Sequence, residues 1–196
     1  KLFFALFAML ALGVSNAWGA LTEEYSYTFT AKQFSDNSTA KTLGSVTWTP
    51  ATTWSVGTGY WGYDATKGQQ WGSGSHTLNK MILTSGTSFS NVKKIEINAS
   101  IASDGGCTLS VKVGNTTIGT TKTLTKTATA YTFEDANGLT GAVEITLSNG
   151  SKKKAQYIKS IKIYTESSAP EKVLSLIEIS GDLTKNTYEE GDELDL

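Results

Sequence analysis

Short runs in which hydrophobic and polar residues alternate recur along this chain, and they predict β-strands. In the run 25–31, Tyr25, Tyr27 and Phe29 alternate with serine and threonine. Comparable runs occupy 46–49, 78–84, 92–101, 107–113, 131–133, 143–147 and 156–165. Beyond the first 20 residues no run keeps an apolar period of 3.6, so the pattern predicts an all-β unit.

Short half-buried strands bury their apolar faces only by stacking, which predicts an antiparallel β-sandwich. We expect the run 25–31 to lie beside the run 157–165, with both ends of the unit together. The strand at Val46 should stop before Pro50, because proline cannot donate to a strand ladder. The stretch from Trp48 to Leu78 should then cross an edge or end of the sandwich, where function usually resides.

The first 20 residues are typical of a secretory signal peptide. Lys1 precedes an apolar run from Leu2 to Val14, and small residues follow at Ser15 and Ala17. A membrane anchor is the weaker alternative, because this run is about half of the ~20 residues that a span needs. We expect a secreted or cell-surface protein with no membrane insertion after cleavage.

Composition argues against one class of partner. All 17 basic residues are lysines, and arginine is the usual choice for bidentate contacts with phosphates and bases, so nucleic-acid binding is not expected.

Cys107 is in phase with Leu109 and Val111, which predicts a buried, inert thiol. No oligomeric state is predicted.

The charge balance changes near residue 166 and predicts a domain boundary. Residues 21–165 hold 14 Lys against nine Asp and Glu, whereas residues 166–196 hold two Lys against nine acids. A polar stretch ending at Pro170 coincides with the change. We therefore predict a β-sandwich over 21–165, a linker over 166–172 and the start of a second unit over 173–196.

Both units carry family resemblances. The run Leu174–Gly181, with Lys185, Tyr188 and Gly191-Asp192, resembles the opening of bacterial immunoglobulin-like repeats in secreted Bacteroidetes proteins. It implies a truncated immunoglobulin-like β unit and a larger parent protein.

The first unit resembles the galactose-binding-like, jelly-roll modules that precede such repeats. Four segments carry this resemblance: the opening Tyr-x-Tyr-x-Phe, Lys67–Ser73, Val92–Asn98 and Tyr157–Tyr164. It implies a noncatalytic module of glycan-acting or adhesive proteins.

Four of the five tryptophans and the one histidine lie between Trp48 and His76, in a glycine-rich stretch. Aromatic rings there can stack on the C–H faces of sugars, and polar neighbours can contact hydroxyls. The candidate ligand-binding residues are Trp54, Tyr60, Trp61, Tyr63, Asp64, Gln70, Trp71 and His76, with Gln69 as a further polar neighbour. Alternation puts Trp61 and Tyr63 on one side of the chain, and we predict that these two rings form the platform on which a sugar stacks. Burial in the core is the alternative for every ring and is favoured for Trp71.

No metal or catalytic signature is evident. His76 has no second histidine to share a metal, and Asp36, Asp64, Asp104 and Asp135 all lie in turn-like contexts. Galactose-binding-like modules often carry a structural calcium, but we predict no cofactor here. No nucleophile, zinc or phosphate motif occurs, so we predict that the chain is not an enzyme.

Two functional hypotheses follow. In the first, the sandwich is a noncatalytic carbohydrate-binding module that holds a larger secreted protein on a polysaccharide. In the second, it is a structural or adhesive spacer whose aromatic residues pack internally, ahead of a catalytic hydrolase or nuclease region.

Overall fold

The computed structural model describes residues 21–103, 105–150 and 155–166, and within them every strand pair is antiparallel. No helix in these ranges has the length and apolar character to cross a membrane. The strands are β1 (Leu21–Thr28), β2 (Lys41–Leu43), β3 (Val46–Val56), β4 (Trp61–Asp64), β5 (Gly68–Trp71), β6 (Thr77–Ile101), β7 (Thr108–Val113), β8 (Thr116–Thr117), β9 (Lys122–Thr123), β10 (Thr129–Ser148) and β11 (Gln156–Glu166).

Two layers enclose one core. The first layer contains β1, β4, β5, β11, the second half of β6 and the first third of β10. The second contains β2, β3, the first half of β6, the end of β10 and β7 to β9. The prediction of an all-β, antiparallel jelly-roll sandwich is therefore confirmed.

Strands β6 and β10 belong to both layers, which the sequence did not predict. The runs 78–84 and 92–101 are halves of one 25-residue strand, which bends at Asn91 with a φ of 52°. Opposite this bend, β10 changes register between Glu134 and Glu144, and Gly138 and Gly141 have positive φ there. Strands that pass between layers commonly turn the corner through such bulges.

Contacts between the layers hold the core together. Trp48 on β3 and Tyr25 on β1 have ring centroids 5.8 Å apart, and the Trp48 Nε1–H donates to the Tyr25 Oη at 2.9 Å. The Tyr25 hydroxyl in turn donates to the Leu43 carbonyl at 3.0 Å. Cys107 is also buried in the core, as predicted, and burial raises the pKa of its thiol.

The prediction that the strand at Val46 stops before Pro50 is wrong. It continues through Pro50 to Val56, and Pro50 pairs with Leu83. Because β2 pairs only with the segment Val46–Trp48, Pro50 lies where the outer edge of β3 has no neighbour, and a proline is tolerated there.

The pairing predicted for the two ends of the unit is confirmed. Strand β1 pairs with β11 from Leu21↔Glu166 to Thr28↔Ser160. Along the same side of β11, the hairpin β4–β5 pairs at its other end and forms the edge of the first layer. The predicted signal peptide, most of the linker and the predicted immunoglobulin-like unit lie outside the described residues, as does Asp104.

Candidate functional site

The hairpin β4–β5 carries most of the candidate residues, and local chemistry determines its turn. Asp64 Oδ1 accepts the backbone N–H groups of Thr66 and Lys67, both at 2.8 Å. These donors, Lys67 first, hold the pKa of Asp64 below its usual value. Gly68 follows with a φ of 88°, where an added Cβ would lie 2.2 Å from the Ile158 carbonyl oxygen. A glycine here lets β5 pack closely on β11.

One face of the hairpin points into the core. Trp61 pairs with Trp71 and Tyr63 with Gln69, and paired residues share a face. Trp71 is 0% exposed and packs edge-on against Phe29, with ring centroids 6.4 Å apart.

Trp71 and Gln69 are therefore not accessible to a ligand. The burial that the sequence favours for Trp71 is confirmed. The Gln69 amide is consumed in the interior: its Oε1 accepts the Phe34 N–H, and its Nε2 donates to the carbonyls of Phe34 and Gly62.

Trp54 and Trp61 form a half-buried pair at the sandwich edge. Their rings meet edge-on at 5.3 Å, and both pack against the core. The Trp54 Nε1–H donates to Asn37 Oδ1 at 2.8 Å. Trp61 and Tyr63 lie on one side of the hairpin, as alternation predicts, and both are half-buried. The Trp61–Tyr63 platform stays a prediction.

The opposite face of the hairpin carries an accessible patch. The Tyr60 ring covers Gly62, where an added Cβ would lie 3.0 Å from Tyr60 Cε1 and from Gln70 Oε1. His76 stacks on Tyr60 with ring centroids 6.3 Å apart and planes at 30°. We call Tyr60, Gly62, Gln70 and His76 the outer patch.

Neighbouring loops hold the outer patch in place. The Gly72 N–H donates to the Tyr60 carbonyl at 2.9 Å, and the Gln70 Nε2 donates to the Gly72 carbonyl at 2.7 Å. The His76 Nδ1 lies 3.1 Å from the Ser75 hydroxyl. Gly57 packs on the His76 ring so closely that a Cβ would lie 2.5 Å from its Cδ2.

Exposure distinguishes the outer patch from the rest of the surface. Among the residues that the structure describes, three large hydrophobic side chains are exposed: Leu21, Val56 at 54% and Tyr60 at 40%. Val56 ends β3 and pairs with Thr77, the residue after His76, so it lies close to the outer patch. Exposed apolar groups clustered beside polar ones are typical of binding surfaces.

The described ranges hold no group of three or more His, Cys, Asp or Glu residues able to bind a metal. Asp36 and Asp135, like Asp64, each accept two backbone N–H groups within their own turns. The prediction that turn chemistry explains these three acids is confirmed.

Two neighbours of the outer patch were not among the site residues predicted from the sequence. Tyr157 on β11 pairs with Gln70, and the Lys67 Nζ lies 5.1 Å from the centroid of the Tyr157 ring. Burial raises the pKa of the Tyr157 phenol, and the Asp64 and Tyr60 charges add to the effect. Only the pairing of β5 with β11 brings these residues together, and no local pattern indicates that pairing.

Comparison with known proteins finds distant structural likenesses. No protein-family model and no curated protein matches the chain. The C-terminal CBM6 of LamC, a marine laminarinase from Zobellia galactanivorans, is 14% identical with a TM-score of 0.40, over 71% of this chain and 97% of that one. A family two carbohydrate esterase from Cellvibrio japonicus is 12% identical with a TM-score of 0.33, over 60% of this chain and 34% of that one. At these values the likeness transfers neither a function nor a site to this chain.

Proposed function

We propose that this sandwich is a noncatalytic carbohydrate-binding module, part of a larger secreted or surface protein, and that it holds saccharides on the outer patch. The observation that carries the proposal is Tyr60, an exposed aromatic ring supported from behind by His76 and bordered by the Gln70 amide. A phenol ring complements the C–H face of a pyranose, and the amide and imidazole can exchange hydrogen bonds with its hydroxyls.

The patch requires no catalytic group to perform this task. The one carboxylate on the hairpin, Asp64, uses Oδ1 to bind two N–H groups of its own turn. The half-buried pair Trp54 and Trp61 lies on the core side and acts as the support of the hairpin.

The test separates binding from folding. A Tyr60→Ala variant should lose most retention on polysaccharide gels, because it removes the stacking surface, while its melting temperature stays within a few degrees of the parent. A Trp71→Ala variant is the matched control: it should lose about 3–5 kcal/mol of unfolding free energy, as large-to-small changes do in cores.

The same measurement examines the spacer hypothesis. If the parent protein is retained on no polysaccharide of a broad panel, or if Tyr60→Ala leaves retention unchanged, the outer patch is not a sugar site. A spacer domain with internally packed aromatic residues would then be the better account, supported by the complete burial of Trp48 and Trp71.

A further inference from the structure

A row of side chains extends the outer patch across three strands. Gly62 on β4 pairs with Gln70 on β5, and Gln70 pairs with Tyr157 on β11. Neighbouring strands lie about 4.8 Å apart, so Gly62, which the Tyr60 ring covers, and Tyr157 are separated by roughly 10 Å. A saccharide of two rings that stacks on Tyr60 therefore reaches the neighbourhood of Tyr157.

A lysine lies at the far end of this row. The Lys67 ammonium is held over the Tyr157 ring, at 5.1 Å from its centroid. Across the described ranges, no carboxylate lies within ion-pair distance of this ammonium.

Other lysines of the first layer differ from Lys67. Lys93, Lys94 and Lys162 each contact a glutamate, at 3.0, 2.9 and 2.8 Å. Lys159 donates to the Ala65 carbonyl at 2.7 Å. Lys67 is thus held beside the row with its charge not neutralised by direct contact.

The nearest acid of the hairpin does not cancel this charge. The backbone N–H groups of Lys67 and Thr66, and after them the positive charges of Lys67 and Lys159, lower the pKa of Asp64 and keep it ionised. Its Oδ1 is occupied by the turn, and the balance of one negative against two positive charges leaves this end of the row cationic.

We infer that the module binds anionic saccharides, in which a carboxylate or sulfate group meets Lys67 while a neighbouring ring stacks on Tyr60. This inference rests on the proposed function. The anion makes a hydrogen-bonded ion pair with the ammonium, and Tyr157 supports the lysine from below.

Affinity electrophoresis of the full chain tests the inference with two matched pairs of polymers. Polygalacturonate is compared with its methyl ester, and dextran sulfate with dextran. We expect retention by at least one charged polymer to exceed retention by its neutral partner, and to fall at about 0.5 M salt, which screens exposed ion pairs. The preferred pair identifies the anion as carboxylate or sulfate.

Variants locate the anion on the row. Lys67→Gln should bind the preferred charged polymer about fivefold more weakly, the size of one exposed ion pair, and Lys67→Arg should retain binding. Lys122→Gln is the matched control, because it removes an equal charge from β9 in the second layer, where the Lys122 ammonium lies 5.8 Å from the centroid of the Phe133 ring.

Three outcomes overturn the inference: equal retention of charged and neutral polymers, no effect of Lys67→Gln, or an equal loss in Lys122→Gln. If Tyr60→Ala still abolishes retention in the first of these cases, the proposed function stands and only the anion preference fails. If the protein is retained by no polymer of either pair and by no polysaccharide of the broader panel, the proposed function itself fails.

Discussion

At the residue scale, the central feature is that similar aromatic side chains have different tasks. Trp71 and Tyr60 are 11 residues apart in sequence, yet one is completely buried and the other is an exposed ring. Strand alternation together with the pairing of β4 and β5 produces this difference. Tyr25 is a third case, since its phenol links both layers by hydrogen bonds to Trp48 and Leu43.

Because of Tyr25, we expect the free energy of unfolding to fall at alkaline pH. Burial raises its pKa to about 12, although the hydrogen bond from Trp48 opposes the shift. The unfolded chain loses this proton near pH 10 while the folded chain keeps it. Stability from this group is therefore complete below pH 10 and falls by about 1.4 kcal/mol per pH unit as the pH rises toward 12.

Urea titrations of the parent and a Tyr25→Phe variant between pH 8 and pH 12 check this expectation. At pH 8 the variant should be less stable by about 1–3 kcal/mol, because the buried Trp48 N–H loses its acceptor. The difference should shrink above pH 10. A gap that stays constant with pH, or an equal change in a Tyr60→Phe control, would contradict the expectation.

At the element scale, the hairpin β4–β5 depends on its contact with β11. Its backbone pairing with β11 consists of the three pairs Trp71↔Gln156, Gln70↔Tyr157 and Gln69↔Ile158. Gly68 allows this approach, because any side chain there would enter the backbone of Ile158 and Lys159. The outer patch therefore exists only while this edge is docked.

A Gly68→Ala substitution should detach the hairpin. The added methyl group meets backbone at 2.2 Å and the φ of 88° disfavours alanine, so we expect a loss of at least about 2 kcal/mol and weaker polysaccharide retention. Gly74→Ala is the control, since a Cβ there meets no atom within 4 Å, and it should change stability by less than about 0.5 kcal/mol. Equal stability of the two variants would show that this close approach is dispensable.

At the scale of the whole molecule, the two layers cannot separate without breaking β6 and β10, which run through both. The sandwich should therefore unfold as one cooperative unit. Tryptophan fluorescence, which reports on Trp48 and Trp71 in the core, and far-ultraviolet circular dichroism should give coincident urea transitions for a protein that spans 21–166. Two separated transitions would show that each layer is stable alone.

The sequence by itself determined the fold class, because alternation of apolar and polar residues is a local property that each strand displays alone. It also determined the pairing of the first and last strands and the burial of Cys107. The proposed secretion, linker and second unit remain predictions from the sequence.

Only the tertiary structure decided how the strands are divided and which rings are accessible. The runs at 78–84 and 92–101 look like separate strands because the bend at Asn91 interrupts their pattern, yet one strand passes through both layers. Tyr60 is exposed and Trp71 buried because the pairing of β5 with β11 orients the hairpin, and that pairing joins residues about 87 positions apart in sequence. Contacts at such separations depend on how the whole chain packs, and no local pattern of residue types encodes them.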